Sequence, residues 1–144
     1  MTIRLLVIAA CAAGCAALCL SCGAPRTAPE AAPGEAPEEL VPLAREFVAL
    51  MDAGEFEAAA ARFDAVMAEA MSPGRLEEAW NGLESQLGQL EEQVGARTTK
   101  EQGYDCVYVA CRFERGRADV KVVFDAGGKV SGLWFVPPSE EARS

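Results

Sequence analysis

The sequence predicts an α+β domain: three N-terminal helices packed on one face of a curved antiparallel sheet of about four strands. Two observations carry this. Between Leu40 and Leu87 the apolar residues recur at spacings of three and four, the period of a helix that buries one face. From Tyr104 to Val136 they alternate, and short polar or glycine-rich stretches separate the runs, as in an antiparallel meander. The stretch from Glu39 to Pro137, about one hundred residues, is enough for one hydrophobic core and not for two.

The first helix follows from Leu40, Leu43, Phe47, Leu50 and Met51, with Gly54 placed where a helix carboxyl cap belongs. A second starts near Glu55 and carries Phe56, Ala59, Ala60, Phe63, Val66, Met67 and Ala70 on one stripe. Ser72 and Pro73 read as N-cap and first position of a third. The serine side chain accepts an otherwise unpaired N–H, and the proline loses no hydrogen bond at that place. Leu76, Trp80, Leu83 and Leu87 form its apolar face, and Gly88 ends it.

The period then changes to two. Val94 to Lys100 is the weakest candidate strand, polar and interrupted by Gly95. In Tyr104 to Phe113, Val107, Val109, Cys111 and Phe113 share one face, while Tyr104, Cys106, Tyr108 and Arg112 share the other. Glu114 to Arg117 forms a turn, Ala118 to Phe124 a further strand, and Asp125 to Lys129 a turn whose glycines accept positive φ. In the last strand, Lys129 to Val136, the residues Val130, Leu133 and Phe135 cannot share a face without a slip in register. Gly132 is the expected bulge site.

Outside the domain the composition changes. Residues 1–21 have the form of a secretory signal: Arg4, then an uncharged run from Leu5 to Leu20, then Ser21 before Cys22. The run falls short of the ~20 residues that span a hydrocarbon core, so cleavage is expected rather than a membrane-spanning anchor. The surroundings of Cys22 resemble the lipobox of bacterial lipoproteins. That resemblance implies a lipid on Cys22, loss of Cys11, Cys15 and Cys19 with the signal, and attachment to a membrane through the lipid. The position three before Cys22 is Cys19 where such signals usually carry Leu, so plain secretory cleavage near Ala24 is the alternative. The expected location is the outer side of the cytoplasmic membrane, or the outer membrane and periplasm. Residues 22–38, rich in Pro, Ala and Glu with no large apolar side chain, read as a tether. Extended, it reaches roughly 45 Å. Residues 138–144 read as a disordered polar tail.

The chain has 22 acidic and 13 basic residues, a formal charge of -9, and no histidine. Such an acidic balance disfavours binding to nucleic acid or anionic lipid by charge. Without histidine, Cys106 and Cys111 make a poor metal site, and no metal or cofactor is expected. Five residues apart on one strand, they are also too distant to form a disulfide with each other. Cys111 reads as a small buried hydrophobe. Cys106, on the opposite face, reads as a free thiol, an intermolecular one, or one buried in a dimer interface.

The segment FVALMDAGEFEAAAARFD from Phe47 to Asp64, SPGRLEEAW from Ser72 to Trp80, the pair Leu87–Gly88, and VFDAGGKVSGLWFVP from Val123 to Pro137 together resemble domain of unknown function 3887. The resemblance implies the cone-shaped α+β fold of nuclear transport factor 2-like and cystatin-like proteins. In some members of that family the domain precedes an α/β-hydrolase. No hydrolase activity is expected of this chain, and the family supplies no catalytic residues to carry over.

Pocket enzymes of that superfamily use a buried acid and a tyrosine, for which Asp52, Asp64, Asp119, Tyr104 and Tyr108 are the available types. The helix surface at Asp52 and Asp64, and the outward alternation of Asp119, argue against catalysis. A non-catalytic binding or interaction domain is expected. Tyr104, Cys106, Tyr108 and Trp134 fall on the sheet side away from the helices and are the candidate interface. A homodimer through that face and a small apolar ligand are the candidate partners.

Overall fold

The computed structural model describes residues 36–140. The signal segment, Cys22 and most of the tether lie outside the described residues, as do residues 141–144. The order is α1 (Leu40–Asp52), α2 (Phe56–Ala60), α3 (Ala65–Ala70), α4 (Pro73–Leu87), β1 (Leu90–Glu101), β2 (Tyr104–Phe113), β3 (Gly116–Phe124) and β4 (Val130–Val136). The four strands form one antiparallel sheet in sequence order. No helix among the described residues is long and apolar enough to cross a membrane.

The second expected helix is two. Its apolar stripe runs through Phe63, but there the backbone leaves the helix to meet the sheet: Asp64 N–H donates to Val130 O at 2.9 Å, and Val130 N–H donates to Arg62 O at 2.8 Å. Asp64 then restarts the helix as N-cap of α3, its carboxylate accepting from Met67 N–H at 2.7 Å. Periodicity reports which side chains are buried. It does not report the break, across which Phe56, Ala59, Phe63 and Met67 stay buried while Val66 and Ala70, expected on the same stripe, are exposed. Helix α4 is capped as expected, with Ser72 Oγ accepting from Arg75 N–H at 3.3 Å and Pro73 in its first turn.

The weakest expected strand became the longest. β1 pairs with β2 from Leu90 to Glu101, with extra residues at Glu91 and Val94 that shift the register twice. Its polar composition fits an edge strand, whose outer side needs no apolar cover. Gln102 and Gly103 join it to β2 with φ of 52° and 87°. Positive φ at both central residues is the two-residue hairpin geometry that follows the strand twist, and Gly103 takes it without strain.

The expected slip in β4 is present. Val123 pairs with Gly132 while Phe124 pairs with Val130, leaving Ser131 as the extra residue. Val130, Leu133 and Phe135 therefore all turn to the helix side, where they join Val107, Val109, Cys111, Phe113, Val120, Val122 and Phe124. Against that face α1 supplies Ala44, Phe47, Val48 and Met51, and α4 supplies Leu76 and Trp80. Trp80 is central: its ring lies 6.0 Å from Phe113 and 6.0 Å from Phe135, centroid to centroid, and the residue is 1% exposed. The cleft described next is lined by Cys106, Lys121, Val123 and Trp134, on the opposite face of the sheet.

Candidate functional site

Antiparallel registers place residues in rows across the outer face. One row is Arg97, Tyr108, Lys121 and Trp134; the next is Thr99, Cys106, Val123 and Gly132. The first row is a ladder of cations and rings. The Arg97 guanidinium sits 3.8 Å from the Tyr108 ring centroid, and Lys121 Nζ lies 5.4 Å from Tyr108 and 5.6 Å from Trp134. Glu101 ties it together, accepting from Tyr108 Oη at 2.6 Å and from Lys121 Nζ at 2.6 Å.

These contacts set the charge states. Donation from Lys121 and then from Tyr108 holds the Glu101 carboxyl below its usual range. The bond to Glu101 raises Lys121, and burial, then the bond to Glu101, raises Tyr108. These shifts favour the carboxylate form of Glu101, the ammonium form of Lys121 and the neutral phenol of Tyr108.

Of the four expected interface residues, two are open and two are not. Tyr104 and Trp134 are each 52% exposed. Tyr108 is half-buried within the ladder, and Cys106 is 1% exposed although it lies on the outer face. Alternation assigns a face; accessibility depends on what neighbours lie over that face. The indole of Trp134 folds back over Gly132, so close that a Cβ there would stand 2.4 Å from Cζ3 and 2.5 Å from Cη2. Only a residue without a side chain admits this approach. Cys106 and Cys111 are both free thiols and both buried. Burial raises the Cys106 thiol and pushes Cys111 up to about 12.

The candidate acids part ways. Asp52 is exposed at the end of α1, with partial desolvation raising its carboxyl. Asp64 is bound at both oxygens, Oδ1 by Met67 N–H and Oδ2 by Ser131 Oγ at 2.5 Å. The serine bond first, then the backbone bond, holds it below its usual range. Asp119 alternates outward from the core face as expected, yet it is 1% exposed. Its row neighbours Ala110 and Val136 leave it recessed, and the chain past β4 returns to it. Ser139 N–H donates to Oδ2 at 3.2 Å, and Arg97 Nη2 stands 4.0 Å from the same oxygen. Asp119 Oδ1 has no hydrogen-bond partner among the described residues.

Tyr104 and Trp134 border a cleft of ≈ 540 Å³, within the usual range for small-molecule sites. Val66 of α3, Cys106, Glu101 and Lys121 also line it, as do Asp64, Asp125 and Ser131 around the bulge. Sequence reasoning found the aromatic residues from their face. It placed Val66 on the apolar stripe of the second helix, whereas the α2–α3 break, which has no periodic signature, leaves it exposed on the cleft, and it assigned neither Lys121 nor Asp125 to the site.

A family model described as "Protein of unknown function (DUF3887)" matches residues 44–133. Among curated proteins, Esterase EstD of Thermotoga maritima is 29% identical over 89 residues, which cover 62% of this chain and 22% of that protein. The chain thus spans well under half the length of that relative. No solved structure matches.

Proposed function

Since the chain belongs to the DUF3887 family, we propose that it is a non-catalytic binding domain whose recognition surface is the outer-face cleft, carried on an exported lipoprotein anchored at Cys22. One observation carries the reading. Val66, Tyr104 and Trp134, three of the four exposed large apolar side chains among the described residues, line this one cleft. Scattered exposed apolar residues are ordinary, whereas convergence on one concavity marks a binding surface.

The chemistry of the walls supports binding over catalysis. Glu101 is engaged by Tyr108 and Lys121, and Asp64 by Met67 and Ser131. Their shifts run downward, away from the raised carboxyl that general acid catalysis uses. Esterase activity is not carried over from the Thermotoga protein, of which the matched stretch is 22%. These residues contain no histidine and no G-x-S-x-G elbow. The helix layer on one sheet face agrees with the nuclear transport factor 2-like resemblance. The tether would hold the domain clear of the membrane.

Mass spectrometry of the full chain recovered from membranes tests both halves. The expected result is a diacylglyceryl-modified Cys22 together with a small molecule that co-purifies with the wild type and is lost from Trp134→Ala. An unmodified chain would remove the anchor, and a small molecule retained equally by Trp134→Ala would remove the cleft.

A further inference from the structure

The charge of the cleft narrows the class of its ligand. Four ionised groups line it: Asp64, Glu101, Asp125 and Lys121. Lys121 Nζ lies 2.6 Å from Glu101 Oε2, so these two cancel locally. Asp64 and Asp125 belong to none of the ion pairs among the described residues, so two further carboxylates stand beside the apolar walls. Both are held in place by neutral donors, which orient a carboxylate without removing its charge. Asp64 accepts from Met67 N–H and Ser131 Oγ; Asp125 Oδ1 accepts from Gly127 N–H at 2.8 Å and Lys129 N–H at 2.9 Å.

A ligand must complement both the walls and the charge. An anion would face two like charges. A neutral apolar molecule would cover the carboxylates without pairing them, which is unfavourable. A cation on an apolar body meets both, with its charge against the carboxylates and its methyl or methylene groups against the rings. Aromatic rings attract such ions, tryptophan most strongly, and this surface already places Lys121 Nζ near the rings of Tyr108 and Trp134. The fixed carboxylates would need little reordering on binding.

The geometry points to a free organic ammonium ion, quaternary or alkylated, as the ligand of the cleft formed by Val66, Tyr104, Trp134, Asp64 and Asp125. This rests on the reading of the cleft as the recognition surface. The site takes the bare cation rather than a lipid headgroup, whose phosphate would lie against the same carboxylates.

The test titrates the full chain with choline, with 3,3-dimethylbutanol, which has the same shape without the charge, and with phosphocholine. Backbone amide shifts report location. Choline is expected to saturate with shifts at the cleft residues, and to bind about tenfold tighter than either comparison compound. Asp125→Asn keeps the turn-forming oxygen and is expected to weaken choline severalfold while leaving the alcohol unchanged. Trp134→Ala is expected to weaken both. Equal affinity for choline and the alcohol would overturn the cation and leave the cleft as a recognition surface. Equal affinity for phosphocholine would overturn the bare cation in favour of a headgroup. Absence of any choline-dependent shift at the cleft would overturn the inference outright, and the co-purified ligand would then decide the broader reading by itself.

Discussion

Replacing Gly132 by alanine tests how the wall of the cleft is built. Gly132 is not among the positive-φ positions, so its backbone accepts any residue. On backbone grounds alone, alanine in a strand is more stable than glycine by roughly 0.5–1 kcal/mol. The indole reverses the sign. A Cβ at 132 would stand 2.4 Å from Trp134 Cζ3, so the ring must lift away. Trp134 is 52% exposed, so about half of its surface is covered now. Taking roughly 200 Å² for a tryptophan, half of that at ~25 cal/mol per Å² is about 2.5 kcal/mol if the ring lifts completely. After the backbone gain, the net loss is about 1.5–2 kcal/mol. Urea unfolding followed by far-ultraviolet circular dichroism measures it without using the displaced fluorophore. In a Trp134→Ala background the same substitution is expected to stabilise, by roughly 0.5 kcal/mol or more. Such a reversal across a double-mutant cycle isolates the contact. Gly132→Ala stabilising the wild type would refute the reasoning, as would an identical effect in both backgrounds.

Other outcomes follow from the same structure. Trp80→Ala removes the ring that Phe113 and Phe135 pack against and should destabilise by about 3–5 kcal/mol in urea unfolding, leaving at best a marginal fold. The depressed Glu101 carboxyl contributes stability that is complete above its ordinary value of 4.5 and lost as pH falls through its folded value. The raised Lys121 and Tyr108 contribute stability present below their ordinary values of 10.5 and 10.0 and lost as pH rises through their folded values. Glu101→Gln should therefore flatten both the acid and the alkaline limbs of a stability–pH profile, and unchanged limbs would remove the ladder from the account. Alkylation of the native protein at mildly alkaline pH, read by peptide mapping, should leave Cys106 and Cys111 unmodified, with both reacting after unfolding.

The order of helices then strands was legible because burial imposes period 3.6 on a helix and period 2 on a strand, and this chain keeps both. Even the irregular β4 could be read, since Val130, Leu133 and Phe135 can share a face only if one residue bulges out. The bulge lies at Ser131, beside the expected Gly132. Two features were not legible for one reason: backbone pairing between distant segments leaves no local pattern. The α2–α3 break depends on Arg62 and Asp64 meeting Val130. The length of β1 depends on β2 supplying partners for polar residues that carry no strand signature of their own. The site shows the same division. Tyr104 and Trp134 were placed by alternation, but the recess of Asp119 and the burial of Cys106 come from neighbours in other strands and from the returning chain at Ser139.

The central claim is that recognition occurs on the outer face of the sheet and not between sheet and helices. Amide chemical-shift mapping of the full chain, titrated with a pool of small amphipathic molecules, separates the two faces directly. Shifts are expected at Tyr104, Cys106, Lys121, Asp125, Ser131 and Trp134, with Trp80 and Val109 unmoved. Saturable shifts centred on Phe47, Trp80 and Val109, with the outer face silent, would contradict the account and place the ligand in the layer beneath the helices.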